Sequence, residues 1–279
     1  MDKSRLLVHK IGKKKEPGRP QLRGKSKLIE APDQIENLRV NVPTQAALLS
    51  DLRARFATGR GFAVATVNLD HLVKLRRDAG FRAAYAAQTH VVADGNPIVW
   101  LQRLAGKPVE LVPGSDLIDP LMDLAAQAGV GVGFLGSTEA VLARAAEQLE
   151  ARHPGLSVVA RIAPPLGFDP TGPEADRMID EIAASGARLC LLALGAPKQE
   201  VLAARGYARQ PHLGFVSIGA GLDFIAGTQK RAPRWVRRIA MEWLWRMLTD
   251  WKRLAARYRD CGLILPGLAI RALRQRGKR

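Results

Sequence analysis

The chain has 279 residues, 47% hydrophobic and 25% charged, an ordinary globular balance that permits a sizeable core in one α/β domain with extensions or in two small domains. Two cysteines, Cys190 and Cys261, give no disulfide framework, and no apolar stretch approaches the roughly 20 residues that span a bilayer. The net charge of +17 is uneven: residues 1–39 hold 11 Lys/Arg against 5 Asp/Glu, residues 230–279 hold 15 against 3, and the middle holds 17 against 18.

A near-neutral centre with two basic extensions fits an anionic partner: membrane headgroups, nucleic acid or a polyanionic substrate. Residues 1–39 are Lys-rich, with Gly and Pro and almost no apolar period, and read as a basic disordered tail. The first residues lack a continuous apolar run, so they do not read as a signal peptide, and the cytoplasm is the default compartment. Thr44 can cap a helix running to about Ala57, and the short apolar run Gly61–Val67 reads as a buried strand. A helix through Leu72, Leu75 and Tyr85 follows, then a strand at His90–Ala93 that ends on Asp94-Gly95. Helices are expected around Ile98–Ala105 and after Gly114-Ser115-Asp116. Gly131–Gly136 reads as a strand, with Ser137 or Thr138 capping the next helix. A strand at Leu156–Ile162, a helix at Pro173–Ala184 and a strand starting at Arg188 continue the alternation. A helix at Lys198–Gly206 and a last strand at Leu213–Gly219 complete it. Strand, turn and helix in repetition predict an α/β fold: a Rossmann-like, mostly parallel sheet with helices on both faces across residues 40–229.

From Arg231 the character changes. Apolar residues at Val236, Ile239, Trp243, Leu244, Met247, Leu248 and Trp251 follow helical spacing, arginines fill the other side, and four of the five tryptophans fall here. After Cys261 comes the run Gly262–Ile270, then a basic end. Residues 230–279 therefore read either as an amphipathic appendage in a membrane interface or as a helix packed on the core with solvated arginines.

In open parallel sheets ligands bind beyond the carboxyl ends of the strands. The residues there are Thr66-Val-Asn68, Asp94-Gly-Asn96, Gly136-Ser137, Gly195-Ala-Pro-Lys-Gln199-Glu200 and Gly219-Ala-Gly-Leu-Asp223. Asp94, at the end of a buried strand, is a candidate general base; the plainer alternative is a cap on the helix near Asn96-Pro97. Gly195–Gln199 leads into a helix whose N-terminal N–H groups suit a phosphate, with Lys198 as an added charge; a plain turn is the alternative. Gly131-Val-Gly-Phe-Leu-Gly136 lies within a strand and does not open a helix, so it is not a dinucleotide fingerprint. Asp-x-Asp is absent and the five histidines show no zinc spacing, so neither a metal nor another cofactor is expected. Arg246, Arg253 and Arg257 share a helix face and could grip a diphosphate; a solvated cationic face is the alternative.

These stretches occur in order with Val112-Pro-Gly-Ser-Asp116, Phe134-Leu-Gly136, Lys230-Arg-Ala-Pro-Arg-Trp235 and Glu242-Trp-Leu-Trp-Arg246. Together, over about residues 40–260, they resemble the WecG/TagA/CpsF glycosyltransferases (glycosyltransferase family 26). The resemblance implies an inverting, metal-independent transferase. Its donor would be a UDP-sugar of the N-acetylmannosamine, derived uronic acid, or glucose/glucuronate type. Its acceptor would be a polyprenyl-diphosphate-linked sugar, used in cell-envelope or exopolysaccharide synthesis. The enzyme would be cytoplasmic, peripheral on the inner face of the bacterial cytoplasmic membrane, with residues 230–279 touching an anionic lipid surface. The resemblance places the catalytic base on Asp94 and donor contacts on Thr66, Asn68, Gly136, Gln199 and Asp223. Acceptor or diphosphate contacts would fall on Arg246, Arg253 and Arg257. Family members often carry Arg where this chain has Leu111, and Arg103 could substitute for it. A homo-oligomer is left open, and nucleic acid is not an expected partner. The rival reading is a non-catalytic nucleotide- or nucleic-acid-binding protein that uses its basic tails on phosphates. No nucleic-acid module is recognisable, which weighs against it.

Overall fold

A computed structural model describes residues 40–277, apart from 230, 234, 237–244, 246–247 and 249–250. The expected tail at 1–39 lies outside the described residues. Six strands form one all-parallel sheet: β1 (Phe62–Val67), β2 (His90–Ala93), β3 (Gly131–Gly136), β4 (Val158–Ile162), β5 (Ala187–Ala193) and β6 (Gly214–Ser217), in spatial order β2-β1-β6-β5-β3-β4. Four of them read as apolar runs because helices cover both their faces: every residue of β1, β2 and β6 is buried, and so is nearly all of β5.

The helices follow the alternation. Ten are described: α1 (Gln45–Ala57), α2 (Leu69–Arg77), α3 (Ala79–Ala86), α4 (Asn96–Leu104), α5 (Ile118–Ala128), α6 (Glu139–Arg152), α7 (Pro173–Ala184), α8 (Lys198–Arg209), α9 (Gly221–Ala226) and α10 (Trp251–Arg276). One face of the sheet packs on α1, α5, α6 and α9 through Phe62, Phe134, Leu191 and Val216. The other packs on α7 and α8 through Leu135, Cys190 and Phe215, and further along on α3 and α4 through Ala65, Val67 and Val91. Thr44 and Thr138 cap α1 and α6, each accepting from the amide three residues on.

One reading needs correction. The single helix expected through Leu72 and Tyr85 is two, because Asp78 is extended and its side chain caps α3 by accepting from Phe81 N. The strand-end stretch Gly219–Asp223 runs directly into the short helix α9. The apolar run after Cys261 continues the helix straight through Pro266. An interior proline costs about 3 kcal/mol; burial of Leu254, Cys261 and Ala272 along the stripe that α10 lays on α2 and α4 opposes that cost.

The outer side of edge strand β2 is occupied. Asn41 Nδ2 donates to Thr89 O at 2.9 Å, Asn41 Oδ1 accepts from Val91 N at 2.6 Å, and the Asn41 and Val42 amides donate to Val91 O. The Val112 amide donates to Ala93 O at 2.7 Å.

Candidate active site

The carboxyl ends of β1, β2, β3, β5 and β6 open on one side of the molecule. After β3 the chain turns onto one face as α6; after the neighbouring β5 it turns onto the opposite face as α8. That reversal leaves a crevice at the β3/β5 boundary, where ligands of open α/β sheets bind. From β5 to β2 is three strand spacings, about 14 Å. Such a span suits an extended ligand such as a nucleotide-sugar better than a compact one.

At the β1/β2 end, Asp94 N donates to Val67 O at 2.8 Å, and Thr66 Oγ1 donates to Asp94 Oδ2 at 3.3 Å. Asp94 is half-buried and is not the cap of α4: that position belongs to Gly95, with φ 99°, and no side chain caps the helix. The carboxylate is thus oriented by Thr66 and spared a capping duty. Asn68 caps α2, its Oδ1 accepting from His71 N at 3.0 Å. Beneath them lies a buried polar pair that sequence reasoning missed. Tyr85 Oη donates to Thr66 O at 2.7 Å, and His71 Nδ1 stands 2.9 Å from the same oxygen and 2.6 Å from Tyr85 Oη. Burial first, then nearby Lys74 and Arg257, pushes His71 down to about 4, so it is neutral at pH 7. Burial likewise raises Tyr85 well above its ordinary value, keeping it a hydrogen donor. The pair fixes the backbone that carries Thr66. Only the long-range contact of α3 with β1 reveals it.

At the β3/β5 end, Gly136 has φ 125°, and a Cβ there would stand 2.3 Å from Ala193 O, so only glycine fits. The Ser137 amide donates to Ala193 O at 3.0 Å, and Ser137 Oγ donates to Asp223 Oδ1 at 3.2 Å, which brings Asp223 to the crevice. No side chain caps α8, but the Lys198 amide already donates to Gly195 O at 2.9 Å, so an anion there would meet only the amides that follow in the first turn. Lys198, expected to add charge there, instead donates from Nζ to Phe168 O at 2.6 Å and holds the β4–α7 loop. Gln199 is buried. Its Oε1 accepts from Gly219 N at 3.0 Å and its Nε2 donates to Glu200 Oε1 at 2.8 Å, so it braces the loops after β5 and β6 against each other.

Glu200 is fully buried, and loss of solvation raises its carboxyl to about 7 from an ordinary 4.5. The sequence signal was its place on the buried stripe of α8 with Ala203 and Gly206, three residues apart. Because the folded state keeps a proton that the unfolded chain releases, this carboxyl favours folding below about pH 4.5, and the contribution is lost as pH rises to about 7. His71 has the opposite sign: its contribution is present above about 6.5 and is lost as pH falls through about 4. The two slopes oppose each other between about pH 4.5 and 6.5. Glu200→Gln removes one of them. Chemical unfolding at a series of pH values should show the variant gaining on the wild type by about 3 kcal/mol from pH 4.5 to 7. A flat difference would refute the protonated carboxyl.

The cationic residues are dispersed. Arg257 Nη2 lies 3.0 Å from Asp70 Oδ2, on α2. Arg103 is exposed near the far end of α4, about 10 Å along the helix axis from Asn96. Arg246 and the side chain of Arg253 lie outside the described residues. Leu111 is half-exposed beside the end of β2, next to Val112.

Among the described residues, no helix is long and apolar enough to cross a membrane. A family model described as "Glycosyl transferase WecG/TagA/CpsF family" matches residues 34–279. The N-acetylglucosaminyldiphosphoundecaprenol N-acetyl-beta-D-mannosaminyltransferase of Bacillus spizizenii (strain ATCC 23059 / NRRL B-14472 / W23) is 28% identical over 200 residues, covering 70% of this chain and 75% of the relative. With the match spanning the sheet, every strand-end loop and α10, the chain belongs to the WecG/TagA/CpsF family of glycosyltransferases.

Proposed function

We propose that this glycosyltransferase moves a sugar, with inversion, from a UDP-sugar to a polyprenyl-diphosphate-linked acceptor in cell-envelope polysaccharide synthesis. The observation that carries the reading is the layout of the strand ends. A crevice with an uncapped helix stands at β3/β5, and a carboxylate aligned by Thr66 stands about 14 Å away at β2. Uridine lodges beside Ser137 and Asp223, the diphosphate runs past the start of α8, and the sugar reaches Thr66, Asn68 and Asp94. Gln199 and Gly136 shape the crevice walls. Asp94 takes the proton from the acceptor hydroxyl as that oxygen attacks the anomeric carbon, and UDP departs from the opposite face of the sugar. The reaction is metal-independent in this reading: amides at the start of α8 and the arginines Arg246 and Arg253 of residues 230–279 meet the diphosphate charge, while Arg257 is held on Asp70. Arg103 stands further off as a contact for the acceptor.

The acceptor's polyprenyl chain confines the reaction to a membrane surface, and α10 suits that place. Its buried stripe faces the core, while Leu263, Pro266, Ile270 and Leu273 line the opposite, exposed side between Lys252, Arg259 and Arg274. An apolar strip bordered by cations is the pattern of a helix lying in an anionic lipid interface. The relative's name favours an N-acetylmannosamine donor. The test is a donor screen: full-length protein, an N-acetylglucosaminyl-diphosphoundecaprenol acceptor in vesicles, a panel of UDP-sugars, and detection of UDP and glycolipid product. Acceptor-dependent UDP release with UDP-N-acetylmannosamine is the expected result. Turnover confined to UDP-glucose or a uronic acid donor would reassign the sugar, and no turnover with any donor would sink the reading.

A further inference from the structure

Asp70 has no part in the reaction just described, yet it is more than nine-tenths buried and holds two cations at once. Its Oδ2 stands 2.9 Å from Lys74 Nζ, one turn along α2, and 3.0 Å from Arg257 Nη2 on α10. Neither contact has hydrogen-bond alignment, so the attachment is charge on charge in a place shielded from water. Lys74 also donates from Nζ to Ala196 O at 3.1 Å, in the loop between β5 and α8. An unbroken line of contacts therefore runs from α10 through Asp70 and Lys74 to that loop. A second pair between α2 and α10, Arg77 with Asp260 at 3.3 Å, is exposed and contributes little.

We propose that Asp70 is a positioning residue that makes the seating of α10 on α2 and the shape of the β5–α8 loop one coupled event. The inference rests on the nucleotide reading of that loop. When Arg257 is on Asp70, the shared carboxylate fixes Lys74, and Lys74 fixes the Ala196 carbonyl beside the start of α8. A nucleotide that orders the loop in turn favours seated α10, because coupling between two sites is reciprocal. Asp70 sits on the helix whose cap is Asn68, so the same seating fixes the donor-sugar side of the crevice.

Cys261 is a built-in reporter. It is buried on the core-facing side of α10, close enough to Asp70, Arg257 and Lys74 to feel their charges, and burial first among its influences raises its thiol to about 11. Cys190, fully buried in the sheet, is the unreactive reference thiol. The experiment measures the rate of Cys261 modification by a water-soluble disulfide reagent, with and without UDP, in the full-length wild type, Lys74→Met and Asp70→Asn. UDP binding is followed separately by calorimetry, and folding by circular dichroism. In the wild type, UDP should slow the reaction about fivefold or more. Lys74→Met keeps the Asp70–Arg257 pair, so its rate per thiolate without UDP, taken from the pH dependence of the reaction, should match the wild type, while UDP no longer changes it. Asp70→Asn should react about tenfold faster and ignore UDP. A UDP effect that survives in Lys74→Met overturns the relay, and so does a wild-type rate in folded Asp70→Asn. Bound UDP without any change in the wild-type rate overturns the coupling but leaves the proposed function standing. Absence of UDP binding overturns both.

Discussion

Asp94→Asn should lower turnover by about two to four powers of ten, the usual contribution of a positioned general base. The change is isosteric, and two hydrogen bonds of this residue survive it: the backbone bond to Val67 O and the one accepted from Thr66 Oγ1. The residue is half-buried and caps no helix, so stability should stay within about 1 kcal/mol of the wild type. What disappears is an acceptor for the proton of the attacking hydroxyl. UDP affinity should hold within a few-fold, because the proposed nucleotide crevice lies about three strands away. Single-turnover assays with saturating donor, run beside UDP calorimetry, separate the two effects. Wild-type turnover in the variant would remove Asp94 from the role of base. A parallel collapse of UDP binding would show instead that the carboxylate shapes the pocket.

Replacing Leu263, Ile270 and Leu273 together by Gln should cut partition onto phosphatidylglycerol vesicles by about two powers of ten or more, at roughly 1 kcal/mol for each partly inserted side chain. All three are more than half exposed and lie opposite the stripe that packs on the core, so the melting temperature should barely move. Gln preserves helix propensity and leaves the cations in place. Transfer to a bilayer-borne acceptor should fall in step with partition, while UDP binding holds. Unchanged vesicle sedimentation would show that this side of α10 faces water or another protein. Raising the salt concentration separates the contributions: the cationic part weakens, and the apolar part does not.

The sheet was legible because parallel strands covered on both faces read as apolar runs, as Phe62–Val67 and Ala187–Ala193 do. The reading failed where a local polar contact outweighed the period. Asp78 breaks one apparent helix in two by capping α3. At Pro266 the balance ran the other way, and burial of the α10 stripe carried the helix through a residue that normally ends one. Of the candidate site, the strand-end rule picked out the loops but not their internal traffic. That Lys198 turns to Phe168 O, that Gln199 turns inward to Gly219 N, and that Arg257 reaches Asp70 depends on residues 20 to more than 180 positions apart. No periodicity encodes such pairings. They arise only once the crossovers have placed α2, α8 and α10 side by side.

The collar that Asn41, Val42 and Val112 form along β2 bears on how copies of this molecule can meet. Open sheets are prone to zip together through the unsatisfied amides and carbonyls of an outermost strand. Here Thr89 O, Val91 N, Val91 O and Ala93 O are already spoken for, one of them by an amide that sits beside Leu111. Among the described residues a neighbouring copy finds little ladder to extend on that flank, which leaves the helices and the far rim at β4 as the surfaces through which copies could meet, away from Asp94.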